Sequence, residues 1–194
     1  MKYQQIEKSI GIKFNNKNLL HQSLVHLSYL NEHPDFPLGS NERLEFLGDA
    51  VLEYVTSYLL YQKFPDQPEG NLTNIRSCLV RTTTLAEIAR KLKLGNHLLL
   101  SRGEEDLGGR KNSTLLANSF EAVTGAIFLD QGIAKTKAFL LKLIKPKLEE
   151  IIASQQFKDP KSLFQEFIQG KVKITPQYKV IKAVSYTHLT LPTN

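Results

Sequence analysis

The feature that most constrains this chain is a period. Up to about residue 152, apolar residues recur every three to four positions in almost every segment, and no Val/Ile-rich alternating run interrupts them. The period predicts an all-α domain over residues 1–152, with helices expected near 3–10, 17–30, 41–63, 71–80, 82–93, 113–130 and 134–153. Breakers support these divisions: HPDFPLGSN precedes the 41–63 stretch, FPDQPEG follows it, and SRGEEDLGGRKN separates two later helices. Ser40 or Asn41 is placed to cap the 41–63 helix.

Beyond a polar linker over 153–158 the pattern changes. PKSLFQEFIQGK reads as a short helix and PQYKVIKA as an alternating strand, so 159–183 looks like the opening of a small α/β module. One helix and one strand bury too little to make a domain, so the module is expected to be incomplete. The last eleven residues, VSYTHLTLPTN, fit neither plan and resemble translated sequencing-adapter read-through. The natural sequence is expected to end near Ala183, with 184–194 a non-native tail.

Composition excludes several classes. No run of about 18 apolar residues is available to span a membrane and no secretory leader opens the chain, so a cytoplasmic setting is expected. The single Cys78 rules out an internal disulfide, and five scattered His offer no zinc spacing. Any metal must then be held by oxygen. The net charge of +6 is uneven: residues 1–130 carry 14 Lys/Arg against 15 Asp/Glu, whereas 131–194 carry 11 Lys against four acids. Such a basic half attracts polyanions, although solubility alone accounts for many basic surfaces.

The most informative stretch is NERLEFLGDAVLEY, 41–54. At helical spacing Glu42, Glu45 and Asp49 share one face, and apolar residues cover most of the remaining circumference, which predicts a buried helix. Clustered carboxylates repel unless protons or a cation intervene, and no Lys or Arg stands four residues after Glu45 or Asp49. A solvated acidic strip at a helix start explains Glu42 well and Asp49 poorly. A second apolar stretch, LLANSFEAVTGAIFLDQG over 115–132, sets Asn118 and Glu121 on one face, beside Ala117, Ala122, Gly125 and Ala126, small enough for close helix approach. If the two helices meet, Glu45, Asp49, Asn118 and Glu121 form an all-oxygen nest of the kind that suits Mg²⁺.

At this point the residues resemble a known family. NERLEFLGDAVL is similar to the signature of bacterial ribonuclease III, the double-stranded-RNA endonuclease, and LVHLSYLNE, PEGNLTNIRSCLV, LAEIARKLKLG, LSRGEEDLGGRKN and LANSFEAVTGAIFLD follow in that family's order. DPKSLFQEFIQG and TPQYKV resemble the first helix and strand of its double-stranded-RNA-binding domain. The resemblance implies an all-α ribonuclease III endonuclease domain followed by an incomplete α/β RNA-binding domain. It implies a homodimer, in which Phe46 enters a pocket of the partner subunit, where the residues alone would also allow a core Phe. It also implies cleavage of double-stranded RNA, leaving 5′-phosphates, 3′-hydroxyls and short 3′ overhangs, in the processing of ribosomal and other structured RNA. By position, Glu45, Asp49, Asn118 and Glu121 correspond to the metal site, with Asp49 and Glu121 central to catalysis and Mg²⁺, replaceable by Mn²⁺, as cofactor. Glu42 and Glu69 match residues that position RNA. Arg110, Lys111, Gln165 and Glu166 are candidates for RNA contact, with ordinary exposed polars as the competing reading. Asn118 departs from the family's usual Asp. That departure leaves a second function open: a non-catalytic binder of double-stranded RNA, or a ribonucleoprotein scaffold, with the same fold.

Overall fold

The computed structural model describes residues 3–155. The chain divides between Phe157 and Lys158 into two units, and the described residues lie in the first. The expected α/β module, its Gln165 and Glu166, and the tail fall outside the described residues. Among those described, the elements are α1 (Tyr3–Ile10), α2 (Lys17–Gln22), α3 (Leu27–Glu32), α4 (Glu42–Lys63), α5 (Glu69–Val80), α6 (Thr82–Lys91), α7 (Arg102–Asp106) and α8 (Ser113–Ser154), with short 3₁₀ turns at Leu94–His97 and Gly109–Lys111.

α8 organises the rest. Its first arm is buried over most of its length, with Ala122 to Ile127 buried without interruption. Such a helix must bury its polar groups satisfied. The Ser119 hydroxyl donates to the Leu116 carbonyl at 2.8 Å and Thr124 to that of Phe120 at 2.9 Å. Against α8 pack α2, α4, α5 and α6. Phe120 fills the centre with no exposed surface, a burial worth roughly 2–3 kcal/mol.

The two arms of α8 meet at Gly132, where φ of 75° and ψ of 178° break the helix. Only glycine adopts this conformation without strain. The break lies between the two helices expected from sequence. It is pinned to the N-terminal segment: the Asp130 carboxylate accepts the Asn15 and Asn16 N–H groups at 2.8 Å each, and Gln131 donates to the Lys13 carbonyl. Those donors hold the Asp130 carboxyl below its usual range, against the opposing effect of its burial. Further along, Lys147 is nearly buried and bridges Glu87 and Glu150 at 2.6 Å, tying the second arm to α6.

Two helical expectations need correction. The 17–30 stretch is two helices, because Ser23–His26 leave the helical path to pair with another segment. Leu99 donates to the Leu24 carbonyl and His26 donates to that of Leu99, forming a single parallel bridge between Val25 and Leu99. The apolar period runs through this break because both sides face the same core. α4, in turn, is not buried all round. Leu44, Val51, Leu52, Val55 and Leu60 are core, yet Phe46 is 80% and Tyr61 74% exposed. The SRGEEDLGGRKN stretch, expected as a plain loop, carries the short α7 and a 3₁₀ turn. No described helix is long and apolar enough to cross a membrane.

Candidate metal and nucleic-acid site

The site is made by two glycines. A Cβ on Gly48 of α4 would lie 1.8 Å from the Glu121 carbonyl oxygen, and one on Gly125 of α8 would lie 2.2 Å from that of Leu44. Both distances are impossible for real atoms, so the two backbones touch where neither residue has a side chain. Glu45 is three residues before Gly48 and Asp49 is next to it; Glu121 is one turn before Gly125, and Asn118 one turn earlier. The close crossing therefore brings all four together, which periodicity could not show.

Their electrostatics follow from that approach. Burial pushes the Glu121 carboxyl up to about 7, and the charges of Asp49 and Glu45 add to the shift. Glu45 is also raised, first by burial and then by Glu42 and Asp49, while a side-chain hydrogen bond with Asn118 opposes the rise. At neutral pH such a group of acids holds protons or needs a cation. The four side chains are neighbours rather than a closed cage. Among the described residues, no three His, Cys, Asp or Glu side chains already converge as a finished metal site. The donor set still fits a hard divalent ion: every available group is a carboxylate or amide oxygen, and the like charges lack a basic partner in the cluster.

The remaining candidates separate. Glu42 is exposed at the start of α4, accepts the Ser40 hydroxyl at 2.7 Å and adds its charge to Glu45. Asn41 precedes the helix but makes no side-chain cap; its N–H goes to the Val25 carbonyl. Glu69 is not brought to the cluster of its own chain. It opens α5, accepts the Thr73 hydroxyl and lines a cleft with Tyr61, ~24 Å along α4 from Glu45. Arg110 is committed internally: it pairs with Glu105 at 2.6 Å and donates to the Gly95 and Leu98 carbonyls. These bonds stitch the α7 segment to the 3₁₀ turn before it and weigh against an RNA role. Lys111 is exposed. Glu53, the fourth acid of NERLEFLGDAVLEY, is a structural partner of Arg76 at 3.1 Å. Phe46 is not a core residue; it lines a shallow apolar depression with Leu19, Leu47 and Leu129.

One feature of the site leaves no mark on any single stretch of sequence. A cavity of about 330 Å³ adjoins Glu45 and Asn118 and is lined also by His26, Ser28, Asn31 and Asn41. Its residues come from four separated stretches, so no local motif signals it.

A family profile described as Ribonuclease-III-like matches residues 16–148. Ribonuclease 3 of Dehalococcoides mccartyi is 45% identical over 177 residues, covering 91% of this chain and 75% of the relative. That of Enterococcus faecalis is 43% identical over 184 residues, covering 95% and 80%. Among solved structures, the nuclease domain of ribonuclease III from Campylobacter jejuni superposes with a TM-score of 0.69 at 39% identity, covering 75% of this chain and 97% of that domain. Dicer from Pichia stipitis matches with a TM-score of 0.54 at 27% identity, over 90% and 77%.

Proposed function

The chain belongs to the ribonuclease III family, and on that premise we propose that it cleaves double-stranded RNA at the face formed by Glu45, Asp49, Asn118 and Glu121. It is an endoribonuclease, a phosphodiester hydrolase. The observation that carries the site is the glycine crossing, which forces two carboxylates of α4 against Glu121 of α8 and leaves their charge uncompensated by any basic group in the cluster.

The ribonuclease III family is metal-dependent, and Mg²⁺, with Mn²⁺ as a substitute, is the ion this oxygen set suits. Glu45, Asp49 and Glu121 would hold it, with Asn118 beside them. Once bound, such an ion lowers the pKa of a water and offsets charge on the phosphoryl oxygens. To hold the ion Glu121 would have to give up its proton, which would couple uptake of the ion to pH. Asp49 and Glu121 are the proposed catalytic pair. Glu42, exposed at the rim, and Glu69 take the part of positioning RNA, the latter on the resemblance alone. Lys111 is the better candidate of the basic pair for a phosphate contact, since Arg110 is occupied.

The chain works as a homodimer in this reading, in the cytoplasm, on ribosomal and other structured RNA. Phe46, with Leu129 beside it and Tyr54 and Tyr61 along the same helix, supplies an exposed apolar face of the kind subunits cover. The non-catalytic alternative draws on Asn118, and the mutual charge effects of Glu45, Asp49 and Glu121 speak against it. Labelled duplex RNA incubated with Mg²⁺, beside a Glu121→Gln control, decides the matter: cleavage by the unaltered chain and none by the variant is expected. Ca²⁺ should allow binding with little cutting. Equal cleavage by both proteins would remove Glu121 from the mechanism.

A further inference from the structure

The cavity beside Glu45 has a donor pattern that the carboxylates do not explain. α3 and the residue before it contribute His26, Ser28 and Asn31; Asn41, only 4% exposed, and the acids Glu42 and Glu45 come from the start of α4. The Ser28 N–H donates to His26 Nδ1 at 3.2 Å, and the Ser28 hydroxyl lies 2.8 Å from the same nitrogen. That hydroxyl oxygen already accepts the Ser101 N–H at 3.0 Å, which leaves its proton to point at Nδ1. A ring nitrogen that accepts cannot carry the proton, so the neutral imidazole keeps its N–H at Nε2. His26 thus offers one oriented donor to the cavity it lines, and the amides of Asn31, Asn41 and Asn118 add both donors and acceptors.

No Lys or Arg lines this cavity, whereas two carboxylates do. Phosphate is therefore the wrong occupant. A hydroxyl is the right one, because it accepts from Nε2–H or an amide and donates to an amide or carboxylate oxygen. Its place next to Glu45 sets it beside the bond to be cut. The hydroxyl groups an RNA strand carries there are ribose 2′-hydroxyls, which DNA lacks. We propose that this cavity receives a 2′-hydroxyl of the strand being cut, and that His26 and Asn31 are residues by which the chain distinguishes RNA from DNA. The inference rests on the endonuclease reading above.

RNA duplexes in which one ribose at a time around the scissile bond becomes 2′-deoxy or 2′-fluoro test it, with the full chain read by single-turnover cleavage in Mg²⁺ and by binding in Ca²⁺. One position should lose ~10- to 100-fold in cleavage rate when its hydroxyl is removed, the scale of one or two lost hydrogen bonds. His26→Asn keeps a side-chain oxygen to accept the Ser28 N–H at the start of α3 and removes the distal donor. Asn31→Ala removes an exposed amide. Each variant should cut the all-ribose duplex more slowly and become less sensitive to the deoxy change at that one position. A flat deoxy series, or a sensitivity that both variants retain in full, overturns the assignment. If the unmodified duplex binds and is not cut, the endonuclease reading is what fails. The deoxy series scored by binding then still decides for or against the cavity.

Discussion

The inner and outer faces of α4 obey opposite rules. On the inner face Gly48 has no side chain because the Glu121 carbonyl stands where a Cβ would be, and at the rim of that crossing the half-buried Glu45 and the exposed Asp49 act on Glu121 through their charge. On the outer face Phe46, Tyr54, Tyr58 and Tyr61 place large rings toward solvent. There Tyr54 stacks on Tyr58, and Lys137 lies 4.1 Å from the Tyr58 ring centre. Chemistry needs fixed neighbours, so it sits where packing is tightest. Association needs area, so it uses side chains that their own domain leaves uncovered. One helix can serve both because its faces are independent to a first approximation.

That contrast can be broken in order of expected effect. Glu121→Gln should lower cleavage by on the order of 10³-fold, the scale of losing one preorganised charged group, while leaving the dimer intact by light scattering. A loss of dimerisation would mean the two faces are not independent. Gly48→Ala forces a methyl into backbone and should destabilise the fold by about 3 kcal/mol, read by urea unfolding. Phe46→Ala should leave thermal stability nearly unchanged and weaken association ~30-fold, as for an interface hot spot. A variant as dimeric as the parent at the same concentration would end the interface role.

The pH response sharpens the inner face further. Glu121 is raised from an ordinary 4.5 to about 7. Below 4.5 the group is protonated whether folded or unfolded, and the stability conferred by a buried neutral carboxyl is complete. As pH rises through this window the unfolded chain ionises first, so stability falls until the folded group also ionises near 7. The partly exposed position discounts the effect to roughly 1–2 kcal/mol. In metal-free protein, Glu121→Gln should flatten the denaturation midpoint between those pH values; an unchanged slope would place the titration elsewhere. The smallest effect expected is that of Asn118→Asp. It adds a fourth negative charge and removes the hydrogen bond that steadies Glu45, and the Mg²⁺ concentration for half-maximal cleavage should fall several-fold, within about a tenfold range. An unaltered titration would show that residue 118 stands outside the metal's reach.

Much of the helical plan was legible because the core imposes a period on every element that touches it, and α4, α5, α6 and both arms of α8 follow that plan to within a few residues. The break at Ser23–His26 was not legible, since the bridge that causes it pairs Val25 with Leu99, far along the chain. The exposed side of α4 was misread for a related reason: an apolar ring on a helix looks the same in sequence whether its cover comes from its own domain or from outside it. Arg110 looked available because the carbonyls it serves, those of Gly95 and Leu98, are backbone groups that no residue pattern reveals.

By itself the sequence determined the helical class, the acids on one face of 41–54 and the small residues around Gly125. Local periodicity and residue chemistry are properties of a segment. What only the tertiary structure decided is that Gly48 and Gly125 meet. That meeting places Glu121 against Glu45 and Asp49, and burial together with neighbouring charge then alters its acidity. Those effects depend on distances between segments, and a distance of this kind exists only once the chain has folded.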